Sequence, residues 1–187
     1  MACRQREPPL PTLSTPFDTP EFPSLIVLGT SLGAVMLYTT IVWAWSLRLR
    51  DSGIMDIFWG PGFVLAAGAA WLLTSGDGLR VGMVLGLTTV WAIRLAGHIA
   101  VRNRGRGEDP RYARWRQQAG PAWWWRSWFK VFLLQGGILW FVSIPLQVLV
   151  SGAGPASLTV WDTVGAATAR TRFDDLAHRT GVRSPDA

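Results

Sequence analysis

The 187 residues amount to one domain or slightly more; they are 49% hydrophobic and only 16% charged, well under the roughly 25% usual in soluble domains. The net charge of +6 comes mostly from arginines packed into one loop between apolar runs, a pattern that excludes a nucleic-acid surface and favours a membrane surface or an anionic cofactor. Cys3 is the only cysteine, so an intrachain disulfide and a cysteine-built metal site are excluded, and His98 and His178 share no ligand spacing, so no metal is expected.

The first 23 residues hold six of the twelve prolines and no apolar periodicity, and read as an extended leader. The apolar run that follows starts too late and is too long for a cleaved signal, so it reads as an anchor that stays. Residues 25–47 are long enough to cross a hydrocarbon core of ~30 Å. Gly29 and Gly33, four apart, suit a close helix–helix contact, although a Gly-rich chain also produces such pairs incidentally. Residues 54–74 form a second span, with Asp56 in its first turn and Trp59-Gly-Pro-Gly-Phe63 after it; a proline flanked by glycines frees backbone groups and is expected to bend the helix.

Residues 81–101 form the third span, with a further four-spaced pair at Gly82 and Gly86. A basic polar loop is expected over 102–128, a fourth span over 129–150 with Pro145 inside it, and a polar tail over 151–187. The fold expected is all-α: a polytopic membrane bundle of about four transmembrane helices over residues 24–150, with an amphipathic, basic loop. The arginines after the first and third spans, set against Arg80 alone after the second, place both basic loops in the cytoplasm.

Arg94, His98 and Arg102 are spaced four and four, so they form one stripe on a helix face. Arg94 lies about 12 Å deeper than Arg102, and a charge at that depth calls for a protein interior or a wet cavity. Arg102 is also able to snorkel to the headgroups. The topology brings Asp56 to a similar depth on a neighbouring helix, either as a structural ion-pair partner or as an acid that polarises a substrate oxygen. His98 reads either as a packing residue or as a proton donor. In Arg102-Asn-Arg-Gly-Arg-Gly-Glu-Asp-Pro-Arg-Tyr112, Gly105 and Gly107 allow backbone N–H groups to converge while alternating arginines supply forked donors for phosphate, so the loop reads either as a cofactor-phosphate site or as a lipid-headgroup patch. Glu108 and Asp109 are suited to pairing with Arg111 or Arg114 and fixing the loop. Trp123 to Trp125 with Trp128 mark a segment lying at the membrane interface.

Asp56-x-x-Trp59-Gly60, Arg94-Leu-x-x-His98 and Arg102-Asn-x-Gly-x-Gly-Glu108-Asp109-x-Arg111-Tyr112 resemble a bacterial membrane family of unknown function grouped with the steroid 5-alpha-reductases. The resemblance spans roughly residues 25–165. It implies an integral protein of the bacterial inner membrane that uses NADPH to reduce an activated carbon–carbon double bond, an enone, in a steroid or other hydrophobic small molecule. By position it implies Asp56, His98 and Tyr112 as catalytic residues, Asp56 polarising the carbonyl and Tyr112 acting as a second donor. Arg94, Arg102, Asn103, Arg106 and Arg111 fall to the cofactor. The resemblance also implies further helices with an Arg-His-Pro-x-Tyr type motif that this chain lacks, so a truncated or frame-shifted reading frame, and an inactive fragment, are expected alternatives. A relative of the membrane methyltransferases and a non-catalytic lipid-binding protein are the others.

Overall fold

A computed structural model of the protein describes residues 22–74, 78–151 and 167; the leader and the polar tail lie outside the described residues apart from Phe22, Pro23, Ser151 and Ala167. Among the described residues the chain is all helix: α1 (Leu25–Leu49), α2 (Ile54–Thr74), α3 (Leu79–Asn103), α4 (Pro110–Ala119), α5 (Trp123–Ser127) and α6 (Leu134–Ser151). A 3-10 turn, Gly120–Ala122, joins α4 to α5, and a π-helical segment, Trp128–Leu133, joins α5 to α6. Four helical stretches, the fourth running from α4 through α6, are long and apolar enough to cross a membrane. The protein is an integral membrane helical bundle.

Helix α2 is the centre, packed against α1, α3 and α6. It takes that place because its small residues let neighbours approach. A Cβ on Gly60 would stand 2.9 Å from the Ala92 carbonyl oxygen of α3, and one on Gly62 would stand 2.5 Å from Leu139 of α6. Gly136 does the same for α6 against α1, where a Cβ would meet Thr39 at 3.0 Å. The expected glycine pairs play no such part. Nothing lies within 4 Å of a Cβ placed at Gly29, Gly33, Gly82 or Gly86. The buried stripe of α1 is Val27, Ser31, Val35, Thr39, Val42 and Ser46. Gly29 sits two residues from both Val27 and Ser31, which at about 100° per residue turns it to the opposite face.

Polar side chains between α1 and α6 satisfy one another, as a bilayer requires, whereas the buried Trp123 Nε1 and Ser151 Oγ have no hydrogen-bond partner among the described residues. The Ser31 hydroxyl donates to Gln147 Oε1 at 2.6 Å and accepts the Trp140 indole N–H at 3.0 Å, and Gln147 Nε2 donates to Ser143 at 2.8 Å. This ties α1 to α6. Pro61 is carried inside α2, which runs as one helix from Ile54 to Thr74. The Tyr38 hydroxyl donates to the Phe58 carbonyl near it, at 2.8 Å.

The stretch expected as a loop over 102–128 is largely helical. Asp109 caps α4, its carboxylate accepting the Arg111 N–H at 2.8 Å, and Pro110 occupies the first turn, where its missing N–H costs nothing. Tyr112, Trp123, Val131 and Phe132 then bury against Val42, Ile54 and Met55. That cluster seats α4 and α5 on the end of the bundle where α1 and α3 finish and α2 and α6 begin, here called the basic end.

Candidate functional site

The site is built where α4 folds back over the first turn of α2. Capping by Asp109 sets the phase of α4 so that Tyr112 is directed into the bundle, where it is 4% exposed. Its hydroxyl donates to Asp56 Oδ1 at 3.2 Å and accepts from Gln135 Nε2 at 3.1 Å. Asp56 is half-buried, and Arg111 Nη2 stands 3.8 Å from its Oδ2. Arg111 is held in turn by Asp109, with Nε and Nη2 each donating to a different carboxylate oxygen at 3.1 Å. The result is a chain, Gln135–Tyr112–Asp56–Arg111–Asp109, drawn from α6, α4 and α2. It joins an acid, a phenol and a cation at the inner edge of the basic end.

A second set of bonds fixes this geometry. Glu108 receives Arg116 Nε at 2.9 Å and Nη2 at 2.7 Å, and its Oε1 also accepts the buried Ser52 N–H at 2.9 Å. The short α1–α2 connection and the α3–α4 loop are thereby clasped together, with Gly53 close against the Asp109 backbone. Burial alone pushes the Glu108 carboxyl up, but the bonds from Arg116 and Ser52 outweigh it and hold the group below the usual glutamate value of 4.5. The Arg111 side chain and N–H hold the half-buried Asp109 carboxyl below its usual 3.8, with the Arg102 charge adding to the effect.

Of the residues singled out in the sequence, the structure brings Asp56, Tyr112 and Arg111 into direct contact. Arg94 is half-buried on α3, whereas His98 and Arg102 are exposed. Asn103 is half-buried, and its Oδ1 faces Arg102 Nε at 3.4 Å. Arg106 is exposed on the loop. Gly105 and Gly107 adopt φ of 74° and 70°, the left-handed region in which glycine is favoured, and a Cβ on either would meet open space. Both loop acids do fix the loop, as expected, but Glu108 pairs with Arg116 where Arg111 or Arg114 was expected. Sequence reasoning missed Gln135 and Ser52. A glutamine entering an apolar span was a usable signal for the first, since such a group needs a partner; nothing in the sequence marked Ser52.

Residues 42–173, well over half of the chain, match the model of a family described as Protein of unknown function (DUF1295), and the chain belongs to that family. No curated protein and no solved structure matches it.

Proposed function

We propose that this DUF1295 protein is a membrane reductase of the steroid 5-alpha-reductase type, which saturates the enone double bond of a lipid or steroid. The observation that carries the reading is the Tyr112 hydroxyl, buried and 3.2 Å from the Asp56 carboxylate, with Gln135 on its other side. A phenol held this way is a proton donor at a fixed position, able to bond a carbonyl oxygen as negative charge develops there. Arg111 balances charge at Asp56, and Gln135 keeps the phenol oriented. The resemblance of the Asp56, Arg94–His98 and Arg102–Tyr112 motifs to that group supports the same assignment.

The loop suits the phosphate end of NADPH: exposed Arg102 precedes two left-handed glycines, Gly105 and Gly107, and exposed Arg106 stands between them, a combination of forked donors and free backbone suited to phosphate oxygens. Bound there, the cofactor would supply a hydride to the β carbon of the enone. The chain's part is to bring the carbonyl oxygen to the Tyr112 hydroxyl, which would donate to it in place of the Asp56 carboxylate and so stabilise the enolate, with Asp56 holding the phenol at the site; a proton from water is then taken up at the α carbon, leaving a saturated ketone. Arg94 and His98 share one face of α3, exposed His98 serving proton resupply, while Asn103 stands beside Arg102 at the last turn of the helix and adds an amide to the loop. The basic loops face the cytoplasm of a bacterial cell, where NADPH is supplied.

The test is NADPH consumption by the purified protein in lipid nanodiscs with a steroid enone, with tryptophan quenching as a separate readout of cofactor binding. Tyr112→Phe and Asp56→Asn should each lower turnover about 100-fold or more, the range for a lost acid catalyst, while leaving NADPH quenching intact. Wild-type protein that quenches with NADPH but oxidises none of it with any enone would overturn the reductase reading. An unchanged rate in both variants would remove Asp56 and Tyr112 from the chemistry.

A further inference from the structure

The basic end also carries a concavity that the Asp56 centre does not use. Between α4 and the stretch from α5 into the π-helical segment lies a groove of about 510 Å³, within the usual range of ligand sites. Its walls are apolar and aromatic, with Trp115 on one side and Trp125, Phe129 and Leu134 on the other. Two cations, Arg126 and Lys130, stand among them. Lys130 Nζ lies 4.1 Å from the centre of the Trp115 ring, and Arg126 Cζ lies 5.5 Å from that of Trp125. Neither cation pairs with a carboxylate among the described residues.

We propose that this groove is a binding site for the headgroup of an anionic phospholipid. An ammonium over a ring directs only part of its donor set at the ring, and both cations are solvent-exposed, so their remaining N–H groups are available to a phosphate. The aromatic walls suit the glycerol and upper acyl carbons attached to that phosphate. The groove lies where α6 leaves the interface, the level at which tryptophans meet headgroups. A choline headgroup is disfavoured, because the ring faces that would cage a quaternary ammonium already carry Lys130 and Arg126. A soluble phosphate would leave the aromatic walls uncovered. The π-helical turn at Trp128–Leu133, a distortion that often accompanies functional sites, falls under this groove and carries two of its lining residues. The site is independent of the reductase reading.

Native mass spectrometry of the full protein in non-ionic detergent, with phosphatidylglycerol and phosphatidylcholine added at equal concentration, reads the preference directly. The expected result is retained phosphatidylglycerol in preference to phosphatidylcholine. Arg126→Gln with Lys130→Gln should lower that retention about 25-fold, from about five-fold per cation. Arg48→Gln with Arg114→Gln removes the same charge elsewhere on the basic end and should change it little, and Lys130→Arg should preserve it. If the double variant does not fold, Lys130→Gln against Lys130→Arg gives the same comparison. Equal retention of the two lipids, equal loss in the two double variants, or displacement by glycerol phosphate alone would each overturn the proposal.

Discussion

Single residues at the basic end each do several things at once, and Glu108 shows it most clearly. Its two oxygens take a forked Arg116 and the Ser52 N–H, so one carboxylate joins the loop before α4 to the loop before α2. Because its folded value lies below 4.5, the stabilisation is fully present above that pH and is lost as pH falls through the lowered folded value. Asp109, held below 3.8, acts in the same sense at lower pH. Thermal unfolding in detergent should therefore show Glu108→Gln less stable than wild type at pH 7, by about 1–2 kcal/mol for lost charge-assisted bonds. The gap should narrow as pH drops from 5 to 3.5. A constant gap across that range would mean that the charge of Glu108 contributes nothing and only its shape matters. That adjacent acids in an arginine-rich loop fix it was readable in the sequence; the choice of Arg116 was not. It depends on α4 carrying that residue back over Ser52, a long-range docking that spacing along the chain does not encode.

Helices differ in how far their sequence announces them. The four spans were legible because hydrophobic length is nearly sufficient in a bilayer, and the second was placed at 54–74, as observed. α4 was not read as a helix, although Asp109-Pro110 is an N-cap followed by a first-turn proline, a signal obscured by the density of arginine and glycine around it. Packing faces were legible least of all. Lipid and a neighbouring helix look alike to an apolar side chain, so a four-residue glycine pair marks a contact only where the bundle happens to meet it. Gly60 of α2 belongs to no such pair, yet it is set against the backbone of Ala92 with no flexible side chain to give way. Gly60→Ala should cost about 1–3 kcal/mol through forced separation of α2 and α3, read as a lowered melting temperature in detergent. Gly29→Ala and Gly86→Ala should lie within about 0.5 kcal/mol of wild type. Equal effects at the three positions would sink this account of how α2 is seated.

At the scale of the whole molecule, the features with chemical potential gather at one end. α1 and α3 finish there and α2 and α6 begin there, so Asp56, the arginine loop with Tyr112, and Gln135 meet even though they come from three separate stretches. The sequence placed Asp56 and the loop on one side of the membrane by counting spans, and that much of the site was readable in advance. Which side that is follows from charge alone. Arg48, Arg50 and the arginines from 102 to 126 lie on the basic end, and Arg80 lies near the other. Retention of short arginine-rich loops in the cytoplasm predicts that the basic end faces inward. Replacing Cys3 by serine leaves a chain without thiols, so a single new cysteine reports its own side. In intact cells Arg106→Cys should resist a membrane-impermeant maleimide until the membrane is opened, while Leu79→Cys, 66% exposed at the start of α3, should label at once. The reverse pattern would put the arginine loop outside, away from any cytoplasmic pool of NADPH. The reductase reading would then lose its cofactor supply, whereas the anionic-lipid groove would be unaffected, since phosphate headgroups are present in both leaflets.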